Sequence, residues 1–206
     1  MNKAQIEAIL RNEKLAPLKA KGQNFLIDPE VSRKIVAYLR PATAHVLEIG
    51  PGLGALTKPL LLETNHLTVV EIDKGYVTYL KKTYKNIDVI QGDFLKYNVP
   101  RETTGVISNL PYYITTKIIE KVLVKTPNLH TFVFMCESAV SERLFATPGT
   151  KVYSPLSVML KLLGTLEAKI NVSAAKFYPM PHVDSTVFKF VRNDQEIEIV
   201  PFYHFL

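Results

Sequence analysis

The sequence predicts an α/β fold: a mostly parallel, seven-stranded sheet with an antiparallel closing strand and helices on both faces. Three observations predict it. Short apolar runs alternate with stretches of helical periodicity. A glycine-rich turn, Gly50-Pro51-Gly52-Leu53-Gly54, stands between the first of those runs and a helical pattern. Several runs end in a polar or acidic residue, as strands do when their carboxyl ends gather round a ligand.

The elements follow in order. Lys3 to Leu10 reads as a short helix, followed by a basic, turn-rich approach over residues 15–22. After Gln23-Asn24-Phe25-Leu26-Ile27, Asp28 is placed to cap a helix starting at Pro29, where proline is welcome, and ending near Pro41. His45 to Ile49 is the first strand of the sheet, with the helical pattern Ala55 to Leu62 after the glycine turn. Leu67 to Val70, Ile87 to Ile90, Val106-Ile107 and Leu129 to Met135 supply the next strands. Helices over Lys74 to Tyr84 and Thr115 to Val124 lie between them. Ser138 to Phe145 and Ser154 to Leu163 are helical, and Leu166 to Ile170 with Ser185 to Phe190 form an antiparallel pair. Residues 1–40 read as a helical, basic segment completing the site, 41–193 as the main domain, and 194–206, with its apolar end, as the start of a missing or truncated further domain.

Composition narrows the class. With 47% hydrophobic and 21% charged residues, 206 residues suffice for one full core. A formal charge of +6 leans toward a polyanionic partner. The single cysteine, Cys136, excludes an internal disulfide and a Cys-rich metal site, and its apolar surroundings suit a buried small hydrophobe. No apolar run reaches the roughly 18 residues of a membrane span, and the amino terminus lacks a signal-peptide pattern. The expectation is a cytoplasmic monomer with no membrane and no metal.

The glycine turn offers close backbone approach and free N–H groups at a helix start. Its Gly-x-Gly-x-Gly spacing departs from the Gly-x-Gly-x-x-Gly of dinucleotide binders and favours a nucleoside lacking pyrophosphate. Glu71, about twenty residues on at the end of the second strand, is placed to accept bonds from ribose hydroxyls. Asp93 ends the third strand and suits the amino group of a cofactor adenine, with Phe94 or Ile72 packing on its faces. Together Gly50, Gly52, Glu71, Asp93 and Asn109 come to one crevice.

The stretch Asn109-Leu110-Pro111-Tyr112 sits at the tip of the fourth strand. The Asn109 side-chain oxygen and the Leu110 carbonyl, aimed by Pro111, offer two acceptors for a planar amine beside the Tyr112 ring. Accepting both N–H bonds of an adenine amine frees its lone pair for attack, and stacking on Tyr112 is worth roughly 1–3 kcal/mol. A plain turn is the other reading of these residues. Phe177, in the Pro-rich loop before the last strand, either stacks opposite Tyr112 to sandwich a base or packs in the core.

Gln23-Asn24-Phe25-Leu26, Glu48-Ile49-Gly50-Pro51-Gly52-Leu53-Gly54, Val70-Glu71-Ile72-Asp73, Gly92-Asp93, Asn109-Leu110-Pro111-Tyr112-Tyr113-Ile114 and the run Phe177 to Ser185 together resemble the rRNA adenine N6-dimethyltransferase family. That family includes the KsgA-type small-subunit enzymes and the Erm macrolide-resistance enzymes. The resemblance implies a Rossmann-like, class I fold with S-adenosylmethionine as cofactor. It implies contacts to that cofactor from Asn24, Leu26, Gly50, Glu71, Asp93 and Asn109, and reception of the target adenine at Asn109 through Tyr112. The form Asn-Leu-Pro-Tyr-Tyr-Ile-Thr is closer to the small-subunit branch, which implies dimethylation of two adjacent adenosines near the 3′ end of small-subunit rRNA. The implied chemistry is in-line displacement at a sulfonium methyl on a base splayed out of its stack.

Two features depart from the family pattern. Cys136 to Arg143 replaces the usual Gln-Lys-Glu-Val-Ala-x-Arg type of run while retaining Val140 and Arg143, and the helical carboxyl-terminal domain is expected to be absent. Lys19, Lys21, Arg143 and Lys151 suit either phosphate contact or a solvated face. An Erm-type large-subunit enzyme and a non-catalytic RNA-binding assembly factor stay open as alternatives.

Overall fold

A computed structural model describes residues 1–17, 23–39 and 45–193. In chain order the strands are β1 (Phe25–Leu26), β2 (Val46–Ile49), β3 (Leu67–Glu71), β4 (Asp88–Gln91), β5 (Gly105–Asn109), β6 (Thr131–Glu137), β7 (Gly164–Val172), β8 (Phe177–Tyr178) and β9 (Ser185–Arg192). The helices are α1 (Lys3–Asn12), α2 (Pro29–Ala37), α3 (Thr57–Leu60), α4 (Lys74–Thr83), α5 (Thr115–Lys125), α6 (Val140–Leu144) and α7 (Pro155–Leu163).

Seven strands form one sheet in the order β4-β3-β2-β5-β6-β9-β7, and β1 pairs with β8 in a small antiparallel sheet. Strands β2 to β6 are parallel to one another, while β9 runs antiparallel to both β6 and β7. The expected sheet is therefore present, with its one reversed strand inserted between β6 and β7. Because the chain builds outward from β2 in one direction and then resumes at β5 in the other, strand order reverses between them. Ligands of open α/β sheets bind at such a reversal.

Alternation along the buried strands divides the core. Ile107, Val133 and Met135 face a cluster built with Ile6, Ile35, Val36, Leu60, Tyr76 and Leu80 from α1 to α4. Val106, Phe132, Phe134 and Cys136 face the opposite cluster, with Ile118, Ile119, Val122 and Leu123 of α5 and Leu156, Met159, Leu160 and Leu163 of α7. Adjacent residues of one strand thus serve opposite layers, the period-2 signature of a sheet covered on both faces.

Three boundaries differ from the sequence expectation for identifiable reasons. Strand β5 extends through Asn109, because Ser108 keeps its hydroxyl within the sheet by donating to the Ile49 carbonyl (2.7 Å) and Asn109 pairs with Met135. Helix α6 starts at Val140 because Ser138 is engaged elsewhere: its N–H donates to the Asp184 carbonyl and its hydroxyl bonds Thr186. Helix α3 is a single turn that starts at Thr57 and not at Ala55, where the chain is still leaving the glycine turn, Gly54 having a left-handed φ of 84°. Asp28 does cap α2, accepting from the N–H groups of Glu30 and Val31.

Candidate active site

Parallel register delivers the strand tips to one level. Ile49 lies opposite Val70 and Ser108, and Glu71 lies opposite Gln91, so Gly50, Glu71, Gly92 and Asn109 meet at the carboxyl edge. They border a cavity of about 290 Å³, near the lower end of the range for small-molecule sites. Of the residues singled out from sequence, Asn24, Leu26, Gly50, Gly52, Glu71, Ile72, Asp93, Phe94, Asn109 and Pro111 line it.

The glycine turn is shaped by its neighbours. Gly50 and Gly52 have φ of 66° and 54°, values that L side chains rarely adopt. A Cβ at Gly52 would stand 3.0 Å from the Phe25 ring, so the amino-terminal segment closes directly on the turn. Glu71 locks the same turn from the other side: Oε2 accepts from Gly52 N–H at 3.0 Å and Oε1 from Asp73 N–H at 2.9 Å. Burial raises the Glu71 pKa, and these backbone donors work against that rise.

Asn109 is oriented by a contact the sequence did not specify. Its Nδ2 donates to the Asn24 carbonyl at 3.1 Å. A carbonyl only accepts, so this bond decides which end of the amide is nitrogen and leaves Oδ1 as the acceptor for an incoming donor. Asn24 itself is held beside β1, whose register pairs Phe25 with Tyr178 and Leu26 with Phe177. Asp93 accepts from Leu95 N–H through Oδ1, which starts the short 3₁₀ turn carrying Phe94.

The remaining residues lie apart from the cavity. Leu110 donates its N–H to the Met135 carbonyl and buries its side chain in the core beneath α5 and α7. Phe177 is 3% exposed and belongs to the opposite core, so core packing describes its position. Tyr112 is half-buried in a 3₁₀ turn and does not line the cavity; its hydroxyl lies 3.0 Å from Ser185 Oγ. Its neighbour Tyr113 lines the cavity and is 64% exposed. Arg143 and Lys151 are exposed and lie away from the lining, whereas Lys19, Lys21 and residues 194–206 fall outside the described residues.

Sequence reasoning assigned no role to Glu48, which also lines the cavity. It is 2% exposed, and its Oε2 accepts a 2.6 Å bond from the Thr57 hydroxyl. Burial, helped by the nearby Glu71 charge, pushes its carboxyl up to about 8. The available signal was a carboxylate inside the otherwise apolar run Val46-Leu47-Glu48-Ile49. Cys136, by contrast, is no nucleophile, since burial pushes its thiol up to about 12.

The donor set fits a nucleoside carrying positive charge. Glu48, Glu71 and Asp93 face the cavity, and among the described residues lining it none is basic. That is an acidic pocket in a chain of formal charge +6, unsuited to pyrophosphate. Gly50 and Gly92 leave room in the same lining, because a Cβ at either would meet nothing within 4 Å. Among the described residues there is no metal-binding group of three or more His, Cys, Asp or Glu, and no helix long and apolar enough to cross a membrane.

A mostly parallel sheet with this reversal, glycine turn and acidic nucleoside cavity defines a class I S-adenosylmethionine-dependent methyltransferase. Comparison with known proteins agrees and is more specific. Residues 18–206 match the Ribosomal RNA adenine dimethylase family. The chain is 42% identical over 191 residues to the Ribosomal RNA small subunit methyltransferase A of Malacoplasma penetrans, covering 90% of this chain and 70% of that one. Among solved structures, a dimethyladenosine transferase from Plasmodium falciparum superposes with a TM-score of 0.75 at 30% identity, over 82% of this chain and 64% of that one. The 23S rRNA methyltransferase ErmE superposes with a TM-score of 0.76 at 28% identity, over 87% of this chain and 75% of that one. The chain belongs to the ribosomal RNA adenine dimethylase family.

Proposed function

We propose that this chain dimethylates the N6 amines of two adjacent adenosines near the 3′ end of small-subunit rRNA, acting as a cytoplasmic monomer on maturing subunits. The small-subunit substrate is supported by the 42% identity to a small subunit methyltransferase, since the two structural likenesses differ too little to separate the branches.

S-Adenosylmethionine supplies, when bound, an electrophilic methyl group on a positively charged sulfur. Asn24, Leu26, Gly50 and Gly52 would hold it, with Glu71 toward the ribose and Asp93, Ile72 and Phe94 around the adenine. Ile72 suits that task because it is 53% exposed at the rim, an apolar surface awaiting a planar ring. Asn109 Oδ1 and the Leu110 carbonyl would accept the two hydrogens of the target amine, draw its nitrogen toward tetrahedral geometry and free its lone pair. Tyr112 would present a stacking face to the base. Burial raises the Tyr112 pKa, so the phenol stays neutral and able to donate. The site thus works by orientation and acceptor placement and needs no strong base.

The observation that carries this reading is the Asn109 amide, clamped at 3.1 Å by the Asn24 carbonyl on the wall of the cofactor cavity. The test is transfer of tritiated methyl groups to unmethylated small and large subunits, followed by mapping of the modified nucleotides. Incorporation confined to adjacent adenines of the small subunit is expected. Labelling of the large subunit instead points to the Erm-type reading, and rRNA binding without incorporation to an assembly factor.

A further inference from the structure

Tyr112 and Tyr113 are consecutive yet have different surroundings. Tyr113 lines the cofactor cavity, whereas the Tyr112 hydroxyl reaches Ser185 Oγ at 3.0 Å, 73 residues further along the chain. The far end of the turn is anchored, with Ile114 packed on the core and Thr115 buried, but among the described hydrogen bonds the one to Ser185 is the Tyr112 side chain's own. Its 3₁₀ segment, Tyr112–Ile114, has no buried residue and no side-chain cap. Its local bonds run from Ile114 N–H and the Thr115 hydroxyl to the Pro111 carbonyl, neither of which touches the Tyr112 ring.

Ser185 is the opposite case. It is fully buried at the start of β9 and paired with Glu137 of β6 on one side and Val172 of β7 on the other. The residues beside it tie the same corner together. The Thr186 hydroxyl bonds Asn171 Oδ1 at 2.9 Å and Ser138 Oγ at 2.8 Å. The Asp184 carbonyl accepts from Ser138 N–H at 3.0 Å, and Asp184 Oδ1 accepts from Ala174 N–H at 2.8 Å. A hydroxyl on that corner is a fixed point, and the Tyr112 phenol is attached to it.

We propose that Ser185 is a positioning residue for the target base, its hydroxyl setting the tilt of the Tyr112 ring against which the purine stacks. This rests on the methyl transfer proposed above. Each transfer forms a nitrogen–carbon bond from the amine's lone pair, breaks the sulfur–carbon bond with its electrons staying on sulfur, and releases one amine proton to water. After the first transfer the amine has one hydrogen left, so Asn109 Oδ1 and the Leu110 carbonyl can no longer both be satisfied. Ring orientation then carries a larger share of the alignment, and the second transfer depends more on Ser185 than the first.

The experiment uses the whole chain with Ser185→Ala, Tyr112→Phe and the double variant. Binding of S-adenosylhomocysteine is measured without RNA. N6-Monomethyl- and N6,N6-dimethyladenosine are then quantified over time on unmethylated small subunits. Both single variants should bind S-adenosylhomocysteine as the parent does, slow the second transfer about three- to tenfold more than the first, and accumulate monomethyl product. The double variant should be no worse than either single one, because both delete the same bond. Tyr112→Phe changes a half-buried side chain and keeps the test decisive should Ser185→Ala fold poorly. A parental ratio of mono- to dimethyl product in Tyr112→Phe, or additive losses in the double variant, overturns the proposal. A parental chain that binds S-adenosylhomocysteine but transfers nothing overturns the proposed function itself, and this inference with it.

Discussion

The two sides of the site are built differently. On the cofactor side, backbone donors and carboxylates hold one another: Glu71 bridges Gly52 and Asp73, Asp93 starts the Phe94 turn, and Asn24 clamps Asn109. On the side proposed to receive the base, a short 3₁₀ turn carries Tyr112 while its neighbour Tyr113 lines the cofactor cavity, and the loop between β8 and β9 exposes Met180 at 67%. The difference suits what each side is proposed to receive. A small cofactor rewards a preformed pocket, whereas a splayed RNA base arrives with its own backbone and brings part of the order with it.

That contrast can be broken by experiment. The largest effect is expected from Glu71→Ala, which removes the acceptors of the Gly52 and Asp73 N–H groups and the carboxylate proposed to face the ribose. S-Adenosylhomocysteine binding should weaken by roughly ten- to a hundredfold, with charge-assisted bonds each worth about 1.5–3 kcal/mol. Calorimetry showing unchanged affinity would mean the cofactor side is not organised by this residue.

Smaller is the pH effect of Glu48, whose folded-state carboxyl titrates at about 8 against an ordinary 4.5. The folded state then holds a proton that the unfolded chain has released. Stability of the ligand-free protein should fall as pH rises from about 4.5 and level off above about 8, by on the order of a few kcal/mol. Melting temperatures across that range should show the slope. Glu48→Gln, whose side-chain oxygen still accepts the Thr57 bond, should flatten it in part. Glu71, also raised by burial, supplies the remainder.

The smallest change sharpens the comparison from outside the cavity. Asp28 caps α2 immediately after β1 and pairs with Lys176 at 2.7 Å. Its carboxyl is held below the usual range, first by the bond from Lys176. Asp28→Ala should cost about 1 kcal/mol of cap energy and lower the melting temperature by a few degrees. Cofactor affinity should change less than twofold, because the Asn24 clamp is held by β1 and β8.

Much of the cofactor side was legible because its physics is local. A glycine turn after an apolar strand, an acid at the next strand tip and another at the third are fixed by chain geometry, and parallel pairing then assembles them. The substrate side was less legible because its decisive contacts are distant in sequence. Nothing local says that Ser185 meets Tyr112, or that Leu26 pairs with Phe177 and draws that ring into the core. Glu48 escaped for another reason: strand alternation marks it as buried or half-buried, but only the folded neighbourhood, with Thr57 and Glu71, shows what such a carboxyl does.

The most direct test of the account is a comparison of Asn109→Ala with the parent, measuring S-adenosylhomocysteine affinity and methyl incorporation into unmethylated small subunits in the same preparations. The account predicts a folded variant that still binds S-adenosylhomocysteine yet loses at least about a hundredfold in transfer, the scale of a removed active-site hydrogen-bonding group. Near-parental turnover by that variant would contradict it.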